Sequence, residues 1–499
     1  MHDVVIVGAG PVGLFLACEL GLAGCSVLVL EREAEPGSPW RAAPLGSRGL
    51  NTASAEAFHR RGLLDRLRKA AGLDDAPGSA RPRLGGHFGG MMLDPARIDV
   101  AALPFRLPGS ATESMMASLD VVEGLLSERA TALGVEIRRG VTVSAVTQDD
   151  EGVVAWAGED AYPARWLVGC DGGRSAVRRL TGFDFVGTGP QLTGYSMRAT
   201  LADPEELAFG FNLTPTGLYV RMPGKGHLAM MDFDGGAFDR SQTPTRAHLQ
   251  SVLRRVSGTD VTLGEVDLVS TFTDRAMQTT TYRQGRVLLA GDAAHIHSPL
   301  GGQGLNTGIG DAVNLGWKLA ATVHGHAPDG LLDSYTRERH PVGAAVLDWT
   351  RAQVAAMRPD PHGRAIQAVV RELIGTRDGA TFVFERISGA SVRYDLGDEN
   401  PLVGRSAPDF LLGDGTRLGE LLRDGRGVLL DFTVDRHLRE VAGDRESRIR
   451  YAAGPAANDL GFGAVLVRPD GTVAWADGHD PDRKSLASAA DQWFGAPAS

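Results

Sequence analysis

At 499 residues the chain is too long for one compact core, so two or three domains are expected. Its 43% hydrophobic and 22% charged residues are ordinary for a water-soluble globular protein, and no apolar run approaches the roughly 18 residues that cross a bilayer. A net charge of −10 argues against nucleic acid as the main partner, and three cysteines without metal-like spacing (Cys18, Cys25, Cys170) argue against a disulfide framework and any metal site.

The first element is a short buried strand from His2 to Gly8, β-branched and stopped by glycine. The segment has neither the basic flank nor the cleavage pattern of a signal peptide, so a cytoplasmic location is expected. Val12, Leu16, Leu20 and Ala23 recur at helical spacing, and Val27 to Leu30 reads as a second strand ending in Glu31, completing a β-α-β unit. Helix signals follow at 54–70, then a Gly/Pro-rich stretch from about 77 to 110. Residues 119–133 read as a helix, and Val135 to Arg139, Val141 to Val146 and 152–169 as strands, the last ending in Gly169-Cys-Asp-Gly-Gly-Arg174.

From about 185 to 275 the pattern changes to alternating strands and turns, as in an antiparallel sheet inserted in a nucleotide domain. Met222, Met230 and Met231 there fit either a broad pocket lining or adaptable core filling. Residues 286–324 return to strand, glycine loop and helix, with the helix from Asp311 to Val323. Helical segments continue to about 390, 400–408 reads as a linker, and 409–499 as a small α/β unit.

Gly8-Ala-Gly10-Pro11-Val12-Gly13 fits G-x-G-x-x-G between a strand and a helix. The first glycine permits the tight turn, the second lets a pyrophosphate approach the backbone, and the third lets helix and strand pack closely. The helix N-terminus then faces the phosphates. Glu31 stands where its carboxylate takes both hydroxyls of an adenosine ribose. This motif does not distinguish FAD from NAD.

A second motif does. Arg286-Val-Leu-Leu-Ala-Gly291-Asp292 is an apolar strand ending in Gly-Asp, followed by Ser298-Pro299-Leu-Gly301-Gly302-Gln303-Gly304-Leu305-Asn306. An aspartate at a strand end can bind the ribityl chain of FAD. A glycine loop feeding a helix offers bare N–H groups to the N1–C2=O edge of the flavin, where the reduced ring carries negative charge.

These pieces, with Cys170-Asp171-Gly172-Gly-Arg174-Ser-Ala-Val-Arg178 and Gly291-Asp292 through Lys318, resemble the three FAD/NAD(P)H motifs of group A flavoprotein monooxygenases, the para-hydroxybenzoate hydroxylase fold. Leu332-Asp-Ser-Tyr335 to Arg339-His-Pro341 resembles the helix that follows in that family, and the resemblance spans about 2–400. Within the family the chain is most similar to enzymes tailoring aromatic polyketides. Arg405-Ser-Ala-Pro-Asp-Phe410 through Val465-Leu-Val-Arg-Pro-Asp-Gly-Thr472 resembles their thioredoxin-like C-terminal domain, here without a cysteine. The implied fold class is α/β. A Rossmann-type FAD-binding domain (1–184 and 276–399) carries an inserted antiparallel substrate sheet (185–275), and a thioredoxin-like domain (400–499) follows.

The resemblance implies FAD contacts from Gly8, Gly10, Pro11, Val12, Gly13, Glu31 and Arg32 on the adenine side. On the ring side it implies Asp292, Pro299, Gly301, Gly302, Gln303, Gly304, Leu305 and Asn306. Asp171, Gly172 and Arg174 match the motif implicated in both FAD and NAD(P)H contact. Arg174 and Arg178 stand to meet nicotinamide phosphates or, especially Arg178, to pair with surface acids. Arg41 and Arg48 both stand where the family has an arginine near the flavin. Leu119 replaces a glutamine that bonds the flavin in many relatives.

The expected reaction uses NADPH or NADH and O2 to insert one oxygen into a bulky polycyclic aromatic substrate through a C4a-hydroperoxyflavin, in a monomer or homodimer. The glycines at 301–310 would permit the flavin to swing. A packing role is expected for His295 rather than acid/base work, and no catalytic base is identifiable. A Baeyer–Villiger or epoxidising outcome and a non-catalytic FAD-binding partner remain the alternatives. A flavin-dependent halogenase is disfavoured because no tryptophan lies in a Trp-x-Trp-x-Ile-Pro pattern.

Overall fold

The structure is a computed structural model that describes residues 1–73, 85–107, 113–223 and 226–497. Much of the Gly/Pro-rich stretch expected at 77–110 lies outside the described residues. The expected β-α-β unit is present as β1 (His2–Val7), α1 (Pro11–Leu22) and β2 (Val27–Glu31). After α2 (Leu119–Ala132) come β3 (Glu136–Arg139) and β4 (Asp160–Gly169), and much later β5 (Val287–Leu289). These strands form the path of an eight-stranded sheet in the order β5-β4-β1-β2-β3, all parallel, with short antiparallel additions at its margin. The apolar runs of β1 and β2 are buried on both faces, as a parallel sheet between helices requires.

The helix signals at 54–70 are two helices, Thr52–His59 and Leu64–Ala70, separated at Gly62, which adopts φ 67°. Two expectations are corrected. Beyond β3 the pairing resumes at Ala145–Gln148 rather than at 141. Residues 400–408 are no free linker, because Leu402, Val403 and Ala407 are buried in the C-terminal core.

The stretch 185–275 holds a five-stranded antiparallel sheet in the order Gly210–Leu213, Gly217–Arg221, His227–Asp232, Thr193–Leu201, Leu263–Thr273. Alternation sorts its side chains: Tyr195, Met197, Tyr219 and Met230 pack under the helix Arg246–Ser257, whereas Leu218, Val220, Ala229 and Met231 face Leu300 of the glycine loop. Met230 is therefore core filler, Met231 faces the loop, and Met222 is exposed.

α3 (Gln303–Val323) and α4 (Ser334–Met357) carry the chain from the sheet toward the C-terminal unit. That unit is a four-stranded sheet in the order Ile449–Ala453, Gly427–Asp431, Ala464–Val467, Val473–Asp477. It is fastened to α3 and α4 by buried charge. Arg468 is fully buried, donates to both Glu338 oxygens (2.9 and 2.8 Å), and packs 4.5 Å from the Trp493 ring. Lys318 donates to the same carboxylate at 2.8 Å, and Asp470 also meets Arg468. Arg61 forks onto Glu19 of α1 and donates to the carbonyls of Leu422 and Pro469. Among the described residues, no helix is long and apolar enough to cross a membrane.

Removing one partner of such a network strands a buried charge, which costs about 3–5 kcal/mol. Arg468→Ala is therefore expected to lower stability by that order in urea denaturation, while a surface change such as Arg66→Ala moves it by about 0.5 kcal/mol or less.

Candidate functional site

Parallel pairing of β1, β4 and β5 brings three strand ends side by side: Gly8, Asp171 and Asp292 follow β1, β4 and β5 along one edge of the sheet. The turns between them are too close for side chains. A Cβ on Gly8, which has φ 110°, would lie 2.5 Å from the Cys170 carbonyl oxygen, and one on Gly13 would lie 2.0 Å from the Gly8 oxygen. Val12 wedges between the first and third motifs, where a Cβ on Gly308 would meet it at 2.5 Å and one on Gly291 at 3.1 Å.

Gly10 is different. Nothing lies within 4 Å of where its Cβ would stand, and it caps α1 without a side-chain hydrogen bond, with Pro11 opening the helix. The first-turn amides of α1 thus face open space, a ready anion site. Glu31 is buried; one carboxylate oxygen accepts from Ala9 N at 2.7 Å and the other from Glu33 N at 2.9 Å. Each oxygen keeps a lone pair for a further donor. Arg32 points outward and pairs with Glu33.

On the ring side, Asp292 is exposed in the cleft and makes no hydrogen bond or ion pair among the described residues. Pro299 is likewise exposed. Gly301 and Gly302 take φ 80° and 64°, and Gly302 caps α3 without a side-chain hydrogen bond, leaving the amides of Gln303, Gly304 and Leu305 open. Gln303 turns its side chain back onto the Gly301 carbonyl, and Leu305 packs on the main core. Asn306 is fully committed: its oxygen accepts from Asn51 N and Ser54 Oγ, and its amide donates to Gly49 O and Gly302 O. The side chain stitches the helix to its neighbours, so only backbone remains for a ligand.

α3 starts at Gln303, not at Asp311 as its composition suggested. Gly304, Gly308 and Gly310 are helical. Gly308 and Gly310 allow close approach, to Val12 and to the Arg339 guanidinium respectively. They give packing, not loop mobility. Asp311 in this helix accepts from Gly291 N (3.0 Å), Arg339 Nε (2.7 Å) and bonds His295 Nε2 (2.7 Å). Burial alone would raise the Asp311 pKa, but Arg339 and His295 outweigh it and hold it below its ordinary value. His295 is fully buried in this brace. His297 bonds the Ser298 carbonyl through Nδ1, and burial lowers its pKa.

Asp171 accepts from Ala176 N (2.6 Å) and Val177 N (3.1 Å), fixing the turn in which Gly172 takes φ 76°. Arg178 is buried, donates to the carbonyls of Ala293 and Gly173, and stacks 3.9 Å over Phe185. Its partners are carbonyls, not the surface acids considered from sequence. Arg174 is exposed. It lies with Arg240 and Arg275, and burial together with these two like charges lowers the Arg240 pKa. No carboxylate pairs with any of the three among the described residues. Arg240 and Arg275 lie 66 and 101 residues from Arg174 in sequence, so no local pattern points to them.

The two arginines considered after Glu31 separate. Arg41 donates to Glu123 of α2 at 2.8 Å. Arg48 donates to the carbonyls of Leu45 and Ser47; its pKa is lowered by burial and supported by Asp292, and it in turn depresses that of His227 after burial has done so. His227, on the sheet face toward the loop, bonds Ser196 Oγ at 3.1 Å, and burial with Arg48 favours its neutral form. Sequence reading missed this histidine because nothing local marks a strand residue as cleft-facing. Leu119, the first residue of α2, is tied to the Gly46 carbonyl through its N–H.

The donor set fits FAD: two uncapped helix N-termini, an unpartnered aspartate at a strand end, and glycines where a dinucleotide must touch backbone. Comparisons with known proteins agree. A family model described as FAD binding domain matches residues 1–350, and one described as aromatic-ring hydroxylase, C-terminal, matches 400–497. A monooxygenase of Claviceps purpurea is 47% identical over 99% of this chain and 98% of its own. The solved structure of the anhydrotetracycline hydroxylase OxyS from Streptomyces rimosus superposes with a TM-score of 0.86 at 36% identity, covering all of both chains. A dialkyldecalin synthase of Streptomyces rugosporus is 36% identical over 99% of each chain.

Gly8→Ala would force a methyl group into the Cys170 carbonyl at a φ that costs about 1–3 kcal/mol for a side-chain-bearing residue. The variant is expected to purify with most of its flavin absorbance lost and its far-UV circular dichroism retained. Full flavin occupancy would show that the turn does not govern cofactor binding.

Proposed function

This chain belongs to the FAD-binding aromatic-ring monooxygenases, and from that premise we propose that it uses NADPH or NADH and O2 to place one oxygen atom on a bulky polycyclic aromatic substrate of polyketide type. One observation carries the proposal: the glycine loop leading into the open α3 N-terminus packs through Leu300 on the apolar sheet face of Val220, Ala229 and Met231, and Arg174, Arg240 and Arg275 have no carboxylate partner among the described residues.

The chain's residues divide the work. Gly10 and the α1 amides hold the pyrophosphate, Glu31 the adenosine ribose, and Asp292 the ribityl hydroxyls. The open amides of Gly304 and Leu305 would stabilise negative charge on a bound flavin without reorganising, which is the efficient form of electrostatic catalysis. The apolar sheet face orients an aromatic ring and excludes water. His227, bonded to Ser196, accepts a hydrogen bond from a phenolic hydroxyl on that face. Arg174, Arg240 and Arg275 take the phosphates of the nicotinamide cofactor, since guanidinium groups bind phosphate strongly where no carboxylate competes. Bound FAD supplies electron transfer from the nicotinamide and activation of O2.

The domain division follows: 1–184 with 276–399 for the flavin, 185–275 for the substrate, and 400–499 as a thioredoxin-like unit. The strand order of that last unit supports the reading, with the first strand inside, the second parallel beside it, and two antiparallel strands on its other flank. It contains no cysteine, so its role is docking.

A second reading rests on the dialkyldecalin synthase relative: the same scaffold shaping a substrate for ring closure without oxygen insertion. Adding NADPH to the FAD-loaded protein with a polycyclic phenol separates the two. Monooxygenation bleaches the flavin, consumes O2 and yields a product one oxygen atom heavier; a cyclase or an inert binder does none of these. A Baeyer–Villiger or epoxidising outcome gives the same mass change and is told apart by the product's carbon skeleton.

Arg174→Ala and Arg275→Ala are each expected to raise the KM for the reduced nicotinamide cofactor about tenfold or more, the size of a lost hydrogen bond to a charged group, with FAD content unchanged. An unchanged KM in both would place the nicotinamide cofactor elsewhere.

A further inference from the structure

Behind α3, on the side away from Val12 and Gly291, lies a cleft of about 460 Å³ between α3, α4 and the segment 386–395 that leads into the C-terminal unit. Its volume is within the range of small-molecule sites. Ile309 and Val313 of α3 with Val342, Val346 and Trp349 of α4 give it an apolar wall. Ile309 and Val313 are buried, whereas Val342, Val346 and Trp349 remain half-buried and leave apolar surface open to the cleft.

The charge at its rim is unusual for a chain of net charge −10. Arg337, Arg386 and Arg393 line it and form no ion pair among the described residues. Arg393 is held by the carbonyls of Val403, Asp398 and Asn400. Arg386 lies over two rings, 4.6 Å from Phe382 and 5.5 Å from Trp349, which fixes a cation beside the apolar wall. Of the acids lining the cleft, the buried Glu338 and Asp470 are neutralised by Arg468, which leaves Asp395, exposed and accepting from the Gly397 amide, as the remaining carboxylate against the three arginines. Unpaired guanidinium groups around an apolar hollow attract a molecule with a flat apolar body and an anionic edge, and they reject its neutral counterpart less by shape than by lost charge pairing.

We propose that this cleft is a second small-molecule site, separate from the catalytic cleft, that binds a planar polycyclic aromatic anion such as a carboxylate. Its occupant sits against Gln303, Asn306 and Thr307, the first turn of α3, whose amides open toward the flavin loop.

The test uses the FAD-loaded full chain and pyrene-1-carboxylate as probe, followed by fluorescence anisotropy. Wild-type protein is expected to show a saturable site that Val346→Trp, which fills the hollow, removes, and that Arg386→Ala weakens at least tenfold. Pyren-1-ylmethanol, which lacks the charge, is expected to bind that site at least tenfold more weakly. Arg386 is exposed, so its variant remains informative if Val346→Trp fails to fold; flavin content and melting temperature report folding of each. Isotherms unchanged by Arg386→Ala, or equal affinity for the neutral probe, would overturn the proposal. Flavin loading and O2 uptake are measured separately, so failure of the monooxygenase reading leaves this result interpretable.

Discussion

Three parallel strands end side by side, and the space between their carboxyl ends admits backbone but not side chains. Gly8 presses on the Cys170 carbonyl, Gly13 on Gly8, and Gly308 and Gly291 on Val12. The Gly8 contact joins the first motif to the second and the Val12 contacts join it to the third, while Gly13 closes the first turn on itself, so the three motifs form a single packed unit rather than three separate loops. That packing aims two helix N-termini and one aspartate into a common cleft. Helix dipoles act only over about the first turn, so a displacement of either helix by even a side-chain's width would separate the two halves of the cofactor site.

The unit is braced from behind by charge rather than by apolar packing alone. Asp311 holds the Gly291 amide, His295 and Arg339 together, and Arg339 donates to the Thr307 carbonyl and to the Tyr394 hydroxyl. The preceding residue, Glu338, receives Arg468 and Lys318. Two adjacent residues of α4 therefore tie the flavin loop on one side and the C-terminal unit on the other. A buried ion network adds little net stability over well-packed apolar residues, but its geometry is specific, and here it sets where α4 lies relative to α3. The C-terminal unit, which contains no cysteine, contributes to the site through this route.

Cations are distributed against the chain's overall charge. Arg178, Arg468 and Arg61 are consumed by carbonyls, carboxylates and rings in the interior. Arg174, Arg240 and Arg275 at one seam, and Arg337 and Arg386 at another, have no carboxylate partner among the described residues. On an acidic protein such unpaired groups focus field into clefts. This separates an arginine that holds the fold from one left without a carboxylate partner, a distinction that residue type cannot make.

The sequence by itself determined the β-α-β unit, the Gly-Asp strand end and their family, because each depends on local geometry: a β-branched run, a glycine at a turn, a helix after it. It also placed the inserted sheet, through alternation, and Glu31, through its position at a strand end. Tertiary structure decided the rest. Composition made 301–310 look like a mobile loop, yet all but its first two residues are helix, since Val12 and Arg339 leave room only for glycine where the helix passes them. Arg41 and Arg48 were equivalent in sequence; the approach of α2 gave one to Glu123 and left the other facing Asp292. Asn306, His227, Arg240 and Arg275 took their positions from contacts across tens to hundreds of residues, and such contacts are set by how sheets and helices stack, which no local pattern encodes.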